Sequence, residues 1–220
     1  MAEPSSARGA RRRATLCGLL IAALSAGATA QGPAPAHLRW VHGCAEAGSV
    51  RLELEGEQIG AALELGQASD YQQAAAAVQT ASFHDLRGEI FQSGVRLEAK
   101  AFYTVVLWGS RGQPRLLIVE DRLPQAAGSA AIRWVHAAQG VPGLELRSEL
   151  GIRLLPELEA GTVADYRAVP VGVYGLKVTE AGAADALLEI GAQSFRAGGA
   201  YTFVLTREHD RYQLIGLRDR

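Results

Sequence analysis

The stretch AIRWVHAAQGVPGLELRSE, residues 131–149, repeats an earlier stretch, HLRWVHGCAEAGSVRLELE, residues 37–55. The word Arg-Trp-Val-His stands at the same place in both, followed in each by a small-residue loop and a Leu-Glu-Leu run. Two copies of so specific a pattern raise the question of whether the copied residues carry chemistry or carry the fold.

The repetition extends along the whole chain after residue 37. Three further pairs follow in the same order: LELGQASDY (63–71) with LEAGTVADY (158–166), AFYTVVL (101–107) with GAYTFVL (199–205), and RLLIVED (115–121) with YQLIGLRD (212–219). The offset drifts slowly between about 94 and 98 residues, which indicates two homologous units with small loop insertions. A period of that length is typical of a small β-sandwich domain and is too long for a solenoid repeat.

Each unit contains residue patterns that are typical of β-strands. VRLELE (50–55), LELR (144–147) and YGLKVT (174–179) alternate apolar and polar residues, as half-buried strands do. The runs YTVVLWG and YTFVLT are β-branched and aromatic, which predicts strands buried on both faces. Turn residues separate about seven such runs in each unit. The sequence therefore predicts an all-β fold, two tandem Ig-like β-sandwich domains after an N-terminal signal peptide.

The predicted signal peptide is residues 1–30. Four arginines between residues 8 and 13 precede the apolar run ATLCGLLIAALSAG (14–27), and Ala28-Thr29-Ala30 forms a small-residue cleavage site. The apolar run is short for a membrane-spanning helix, which needs about 20 residues, so we expect cleavage and not an uncleaved anchor. We accordingly predict a periplasmic protein with no membrane span in the mature chain.

The domain boundaries follow from the repeat. We predict a first sandwich over residues 37–122, a linker over 123–130 and a second sandwich over 131–220. YQQAAAAVQTAS (71–82) has a helix-like composition, but its counterpart, residues 166–175, contains Pro170 and Gly172. Because homologous units share elements, we expect a loop or an edge strand in both.

Composition narrows the classes of function. The net charge is −1 at pH 7, so nothing favours a nucleic-acid partner. The predicted mature chain keeps one cysteine, Cys44, which excludes an intrachain disulfide. We expect Cys44 to be a buried small apolar residue, with a free thiol as the alternative.

His42 and His136 are the repeated histidines. In a strand, Trp40 and His42 share one face, as do Trp134 and His136, and the tryptophan face is expected to be the inner one. Each ring then lies at the end of the first strand, where it can hydrogen-bond the following loop. A metal ligand or a general base is the alternative role.

Arg39 and Arg133 point away from the tryptophan face in this alternation. We expect them on an exposed face, where they either meet a polyanion or the carboxylates of a partner or are simply solvated.

Asp70-Tyr71 and Asp165-Tyr166 form the other repeated pair. We expect each aspartate to accept backbone N–H groups in a turn, and each tyrosine to pack its ring with its hydroxyl at the rim. Duplicated binding sites are the alternative.

Catalytic motifs are missing from the sequence. The chain has no G-x-S-x-G elbow, no Gly-Asp-Ser signature, no H-E-x-x-H or C-x-x-C zinc pattern and no phosphate-binding glycine loop that opens a helix. We therefore predict that the protein is not an enzyme, and we predict no catalytic residue, cofactor or metal site.

The chain resembles the alginate O-acetylation protein AlgF family over nearly all of the predicted mature length. The matching pieces are LRWVH, SDY and FYTVVL in the first unit, and IRWVH, ADY and AYTFVL in the second. The resemblance implies a periplasmic accessory or adaptor in the O-acetylation of an exported exopolysaccharide, alginate or a similar polymer. It also implies periplasmic acetyltransferase proteins and a membrane-bound O-acyltransferase as partners, with the polysaccharide as a further candidate.

A second resemblance competes with the first. RWVHAAQGVPGLEL (133–146) is similar to the opening R-V-V-H-A-S-P of a family of tandem secreted domains of unknown function, and LLIVED is similar to the end of those domains. This resemblance implies a secreted or cell-surface binding or adhesion module of unknown ligand.

Overall fold

Seventeen strands make up both repeats in the computed structural model, which describes Met1, residues 33–124 and residues 128–220. The predicted signal peptide lies outside the described residues, apart from Met1, as does part of the predicted linker. The first repeat consists of β1 (Ala36–Ala45), β2 (Arg51–Leu54), β3 (Glu57–Gln58), β4 (Gln72–Ala74), β5 (Val78–Asp85), β6 (Gly88–Arg96), β7 (Phe102–Ser110) and β8 (Gln113–Glu120). The second consists of β9 (Ala130–His136), β10 (Leu144–Ser148), β11 (Arg153–Leu158), β12 (Thr162–Val163), β13 (Arg167–Val169), β14 (Gly172–Glu180), β15 (Ala186–Phe195), β16 (Ala200–Glu208) and β17 (Arg211–Arg218).

Each repeat folds into two sheets with the same strand order. In the first repeat these are an inner sheet, β4-β1-β7-β8, and an outer sheet, β3-β2-β5-β6. In the second they are an inner sheet, β12-β9-β16-β17, with β13 also paired to β9, and an outer sheet, β11-β10-β14-β15. In both inner sheets the first strand runs parallel to its neighbour, β1 to β7 and β9 to β16. The predicted all-β tandem sandwich is confirmed, and the described residues contain no helix.

The strand count exceeds the prediction of about seven per unit. Eight strands in the first repeat and nine in the second include four of only two or three residues. These pieces lie at sheet edges or in hairpins, where a strand pattern is too short to read from sequence.

The Ala- and Gln-rich segment splits into two parts. Its beginning forms the edge strand β4, which pairs with β1, and its counterpart β13 pairs with β9. Of the two alternatives predicted for both repeats, a loop or an edge strand, the structure has the edge strand. The expectation is wrong from Val78 onward, because those residues belong to β5, which is hydrogen-bonded between β2 and β6. Gln79, Ala81, Phe83 and Asp85 alternate inward along this strand.

A tryptophan anchors the core of each sandwich, between its inner and outer sheets. Trp40 and Trp134 are fully buried, and Trp40 meets Phe83 edge-on with ring centroids 5.9 Å apart. The tryptophan faces of β1 and β9 are therefore the faces that look into each sandwich, as predicted. Burial of side chains of this size stabilises a fold by about 1.5–3 kcal/mol each.

A third core lies between the two inner sheets. Val41, Val106 and Trp108 of the first repeat pack with Val135 and Val204 of the second, and all five are buried. The inner sheets thus have apolar side chains on both faces, which accounts for the nearly continuous burial of β1, β7, β9 and β16. Residues 33–220 accordingly form one compact unit, in which the two sandwiches pack against each other.

Candidate functional site

The polar side chains repeated in the two copies converge between the inner sheets. Eight of them form one hydrogen-bonded group, which we call the central polar network: Arg39, Tyr71, Thr104, Asp121, Arg133, Tyr166, Thr202 and Asp219. Each repeat contributes one arginine, one tyrosine, one threonine and one aspartate. The formal charges of the two arginines and the two aspartates cancel.

Arg39 extends from β1 into the second repeat. Its Nε donates to the hydroxyl of Thr104 in its own repeat at 2.8 Å. Its two terminal nitrogens cross to the second repeat, where Nη1 donates to the carbonyl oxygen of Arg218 at 3.0 Å and Nη2 pairs with Asp219. The Thr104 hydroxyl in turn donates a hydrogen bond to the Asp121 carboxylate at 2.8 Å. A planar guanidinium suits this geometry because its donors leave in fixed directions.

Arg133 makes the same contacts in the opposite direction. Its Nε donates to Thr202 at 2.8 Å, its Nη1 donates to the carbonyl oxygen of Glu120 at 3.1 Å, and its Nη2 pairs with Asp121 of the first repeat. Thr202 donates to Asp219 at 2.8 Å. Each repeat therefore gives an arginine to the other and receives one from it.

Tyr71 closes the network on one side. Its hydroxyl donates to Asp121 at 2.6 Å, and the guanidinium of Arg39 lies 4.7 Å from the centre of its ring. Burial first, and then the hydrogen bond to the Asp121 carboxylate, raises the pKa of Tyr71 far above its ordinary value. The phenol therefore stays protonated and acts as a donor, not as a base.

Tyr166 closes the network on the other side. It donates to Asp219 at 2.7 Å, and Arg133 stacks 4.5 Å from its ring centre. Burial, followed by the nearby Asp219 charge, raises the pKa of this phenol as well. Both tyrosines are half-buried, as expected for a ring packed at the rim of a core.

Burial corrects the expectation for the two arginines. Arg39 and Arg133 are each 3% exposed, so the interpretation as an exposed face is wrong. Carboxylates do meet them, but these belong to the other repeat of the same chain. The strand alternation placed both side chains opposite the tryptophans, and only the packing of a second sheet on that face buries them.

The aspartates singled out from the sequence lie elsewhere. Asp70 and Asp165 are exposed, and neither carboxylate takes part in the hydrogen bonds of the described residues, so the predicted turn contacts are absent there. In the first repeat the neighbouring Ser69 makes the backbone contact instead: its hydroxyl accepts a hydrogen bond from the backbone N–H of Trp40 at 2.9 Å.

His42 lies fully buried beside Trp40, with the ring centroids 6.4 Å apart. Its Nε2 lies 2.7 Å from the carbonyl oxygen of Gly48, and its Nδ1 accepts the backbone N–H of Cys44 at 3.2 Å. These partners fit a neutral ring with its proton on Nε2. Burial lowers the pKa of His42, which keeps the ring neutral. The ring thus holds the loop after β1 against the sandwich.

His136 repeats this arrangement at the end of β9. Its Nδ1 accepts the backbone N–H of Ala138 at 3.3 Å, and its Nε2 lies 3.4 Å from the carbonyl oxygen of Pro142. Burial lowers the pKa of His136 too. With both nitrogens engaged by backbone in each copy, neither ring is placed to take a proton from a substrate.

Four members of the network were missed from the sequence: Thr104, Thr202, Asp121 and Asp219. The signal was present, because both threonines follow the tyrosine of the YT-x-V-L runs and both aspartates end the last aligned pair. A threonine in an apolar strand and an aspartate at a strand end are ordinary features taken singly. Only their recurrence at equivalent positions of the two repeats indicates that they belong to a shared site.

In residues 33–124 and 128–220, no three His, Cys, Asp or Glu side chains come together to hold a metal ion. Over the same part of the chain, no helix has the length and apolar character needed to cross a membrane.

Residues 36–147 match the model of a domain of unknown function, DUF4397. The match begins with β1, covers the whole first repeat and continues through β9 into β10 of the second. No curated protein matches the chain.

Proposed function

We propose that this chain, which belongs to the DUF4397 family of domains of unknown function, is a non-catalytic periplasmic adaptor in the O-acetylation of an exported exopolysaccharide. In this role it holds periplasmic acetyltransferase proteins, and through them a membrane-bound O-acyltransferase, close to the polymer. The polymer is alginate or one of similar construction. The link to acetylation rests on the resemblance to the AlgF family, which the DUF4397 match leaves open.

The observation that supports an adaptor is the central polar network. An adaptor must present two surfaces at a fixed separation, and the reciprocal pairs Arg39–Asp219 and Arg133–Asp121 tie the sandwiches together from both sides. The repeated polar residues are occupied with one another in the interior, which leaves the outer sheets and the loops to meet partners. Rigid placement of partners lowers the entropic cost of their assembly.

The test is a deletion of the gene in the source bacterium, with measurement of the acetyl ester content and the total yield of the surface polysaccharide. We expect normal polymer yield with acetyl esters largely lost, and recovery on complementation with the wild-type gene. Normal acetylation in the deletion strain would rule the proposal out.

A matched pair of variants asks whether the tie between the repeats matters for the role. Complementation with Arg39→Met, which removes one reciprocal pair, is expected to restore acetylation poorly. Arg196→Met changes an exposed arginine of the second repeat and is expected to restore it fully. Secreted protein levels are measured for both, so that loss of folding is separated from loss of the adaptor role.

A second candidate function is a secreted binding or adhesion module with no link to acetylation. It is favoured by four exposed apolar side chains in the second repeat: Leu150 (82% exposed), Ile152 (62%), Val171 (50%) and Val173 (67%). Leu150 and Ile152 line one groove together with Leu154, Pro170 and Tyr174, and exposed apolar residues grouped in this way are typical of a contact surface. If this candidate is correct, the deletion leaves acetyl content unchanged and Leu150→Ser with Val173→Ser reduces adhesion of the cells.

A further inference from the structure

A cavity of about 410 Å³ opens at one end of the contact between the repeats. The first repeat lines it with Ala45, Gly109 and Ser110, which are small. The second repeat lines it with Gln139, Arg207, His209 and Asp210, which all carry long or polar side chains. We call this space the junction cavity.

The two sides of the junction cavity are built from equivalent positions. Ala45 follows His42 by the same distance as Gln139 follows His136 in the repeated stretches. Arg39 pairs with Thr104 in one inner sheet and Arg133 with Thr202 in the other, which makes Gly109 the counterpart of Arg207. The cavity therefore lies where the approximate two-fold relation between the repeats would place like residues opposite each other.

The equivalent positions that line the junction cavity carry different residues in the two repeats, whereas those of the central polar network carry the same ones. Gly109 has a φ of 94°, and a Cβ at this position would lie 2.5 Å from the carbonyl oxygen of Gln113, so only glycine fits. Arg111, the counterpart of His209, is turned to Asp85, whose carboxylate it meets at 2.6 Å. The first repeat therefore supplies space and the Ser110 hydroxyl, and the second supplies the other functional groups.

Several contacts orient the Arg207 side chain at the junction cavity. Its Nη2 pairs with Asp210 at 3.2 Å, its Nη1 lies 3.5 Å from the carbonyl oxygen of Gly140, and its guanidinium lies 5.4 Å from the ring centre of Tyr212. Its Nε is buried and has no hydrogen-bond partner among the described residues. These contacts orient the guanidinium, and each of its terminal nitrogens keeps a second N–H that a bound acceptor can meet.

The remaining groups decide the class of ligand. Gln139 and Ser110 each offer both a donor and an acceptor, His209 offers one or the other, and Asp210 offers acceptors. The Arg207 charge is offset by Asp210, and Glu208 next to it is exposed, so the site does not select an anion. Planar amide, guanidinium and carboxylate groups that mix donors and acceptors match the adjacent hydroxyls of a sugar ring.

We propose that the junction cavity binds a neutral sugar residue of a polysaccharide, with Arg207, Asp210 and Gln139 as its hydrogen-bonding groups. This inference deepens the proposed function, on which its biological role rests, because it gives the adaptor a direct contact with the polymer. It narrows that polymer to one that contains neutral sugar residues, which alginate, a chain of uronates, does not. The open cavity admits a residue within a chain as well as one at a chain end.

The test is binding of the purified mature protein to an array of neutral and acidic bacterial polysaccharides, followed by calorimetric titration with a neutral oligosaccharide that binds. Arg207→Met is expected to weaken binding by about tenfold or more, since hydrogen bonds to a charged group are the strong ones. Arg196→Met is the matched control and is expected to bind as the wild type does. Ala45→Gln removes no polar group but fills the cavity from the first repeat, and it is expected to weaken binding comparably.

Each variant is checked for an unchanged melting temperature, so that reduced binding reports the site. Binding only to acidic glycans, binding to no glycan, or neutral binding that survives both Arg207→Met and Ala45→Gln would each overturn the proposal. Loss of acetyl esters in the deletion strain together with absent glycan binding would leave the adaptor role standing and remove this site alone. Glycan binding together with normal acetylation in that strain would leave the glycan site standing and remove the adaptor role.

Discussion

The two repeats match at the centre of their contact and differ where they face outward. On the inner sheets the same four residue types recur in both copies and form the central polar network. On the outside, equivalent grooves have diverged. The first is lined by Pro33, Pro35, Glu55, Glu57 and Gln79, and the second by Leu150, Ile152, Leu154, Pro170 and Tyr174, among others.

The difference has a physical cause. Each arginine and each aspartate of the network has a charged partner in the other repeat, so the loss of one strands a buried charge on the other side. An outer-groove residue such as Gln79 or its counterpart Tyr174 has no partner in the other repeat. Reciprocal packing therefore holds the inner positions alike, and the outer positions are free to serve different contacts.

The largest expected effect comes from breaking the reciprocal pairs. Arg39→Met leaves the buried carboxylate of Asp219 without its counter-charge, and we expect the free energy of unfolding to fall by about 3–5 kcal/mol. Arg133→Met is expected to cost the same within about 1 kcal/mol, because its contacts are equivalent. Urea denaturation of the mature chain measures both.

A double mutant sharpens this result. Arg39→Met combined with Asp219→Leu replaces both charges with apolar groups and should cost less than the sum of the single changes. Strictly additive costs, or a large difference between the Arg39 and Arg133 variants, would show that the two sides of the network are not equivalent.

The histidines predict how stability depends on pH. Burial lowers the pKa of His42 and of His136 below 6.5, the value of a free imidazole. Below pH 6.5 the unfolded chain takes up protons that the folded chain excludes, so the free energy of unfolding falls as the pH drops. The stability is fully present above pH 6.5 and is lost as the pH falls toward the lowered values, by up to about 1.4 kcal/mol per pH unit for each ring.

The measurement is urea denaturation from pH 7.5 to 4.5 for the wild type, His42→Gln, His136→Gln and the double variant. Glutamine keeps a donor and an acceptor but does not titrate in this range. Each single variant should flatten the profile by a similar amount and the double variant by more. A double variant with the slope of the wild type would refute the assignment.

The smallest expected change in stability comes from a substitution that makes the two repeats more alike. Cys44 and Ala138 occupy equivalent, fully buried positions after the two histidines. Cys44→Ala should lower the free energy of unfolding by only about 1 kcal/mol. Burial raises the pKa of the Cys44 thiol to about 12, so the folded wild type should not react with Ellman's reagent at pH 8. Rapid labelling of the folded protein would show that this position is open.

The sequence alone determined the duplication, the sandwich fold and the inward faces of the first strands. These follow from local signals: a repeated order of segments, two-residue alternation, and tryptophans on one side of a strand. The repetition also predicted a loop or an edge strand where β4 and β13 lie. These signals failed for β5, where an Ala- and Gln-rich run resembles a loop until its neighbours β2 and β6 bury it.

Only the tertiary structure decided what lies against the other face of β1 and β9. Alternation shows that Arg39 and Val41 share a face, but it does not show whether water or another sheet covers that face. Arg39 pairs with Asp219, 180 residues further along the chain, and Arg133 pairs with Asp121, 12 residues before it across the linker. Both pairings depend on how the sandwiches dock. The junction cavity depends on the same docking, because its small residues come from one repeat and its polar residues from the other.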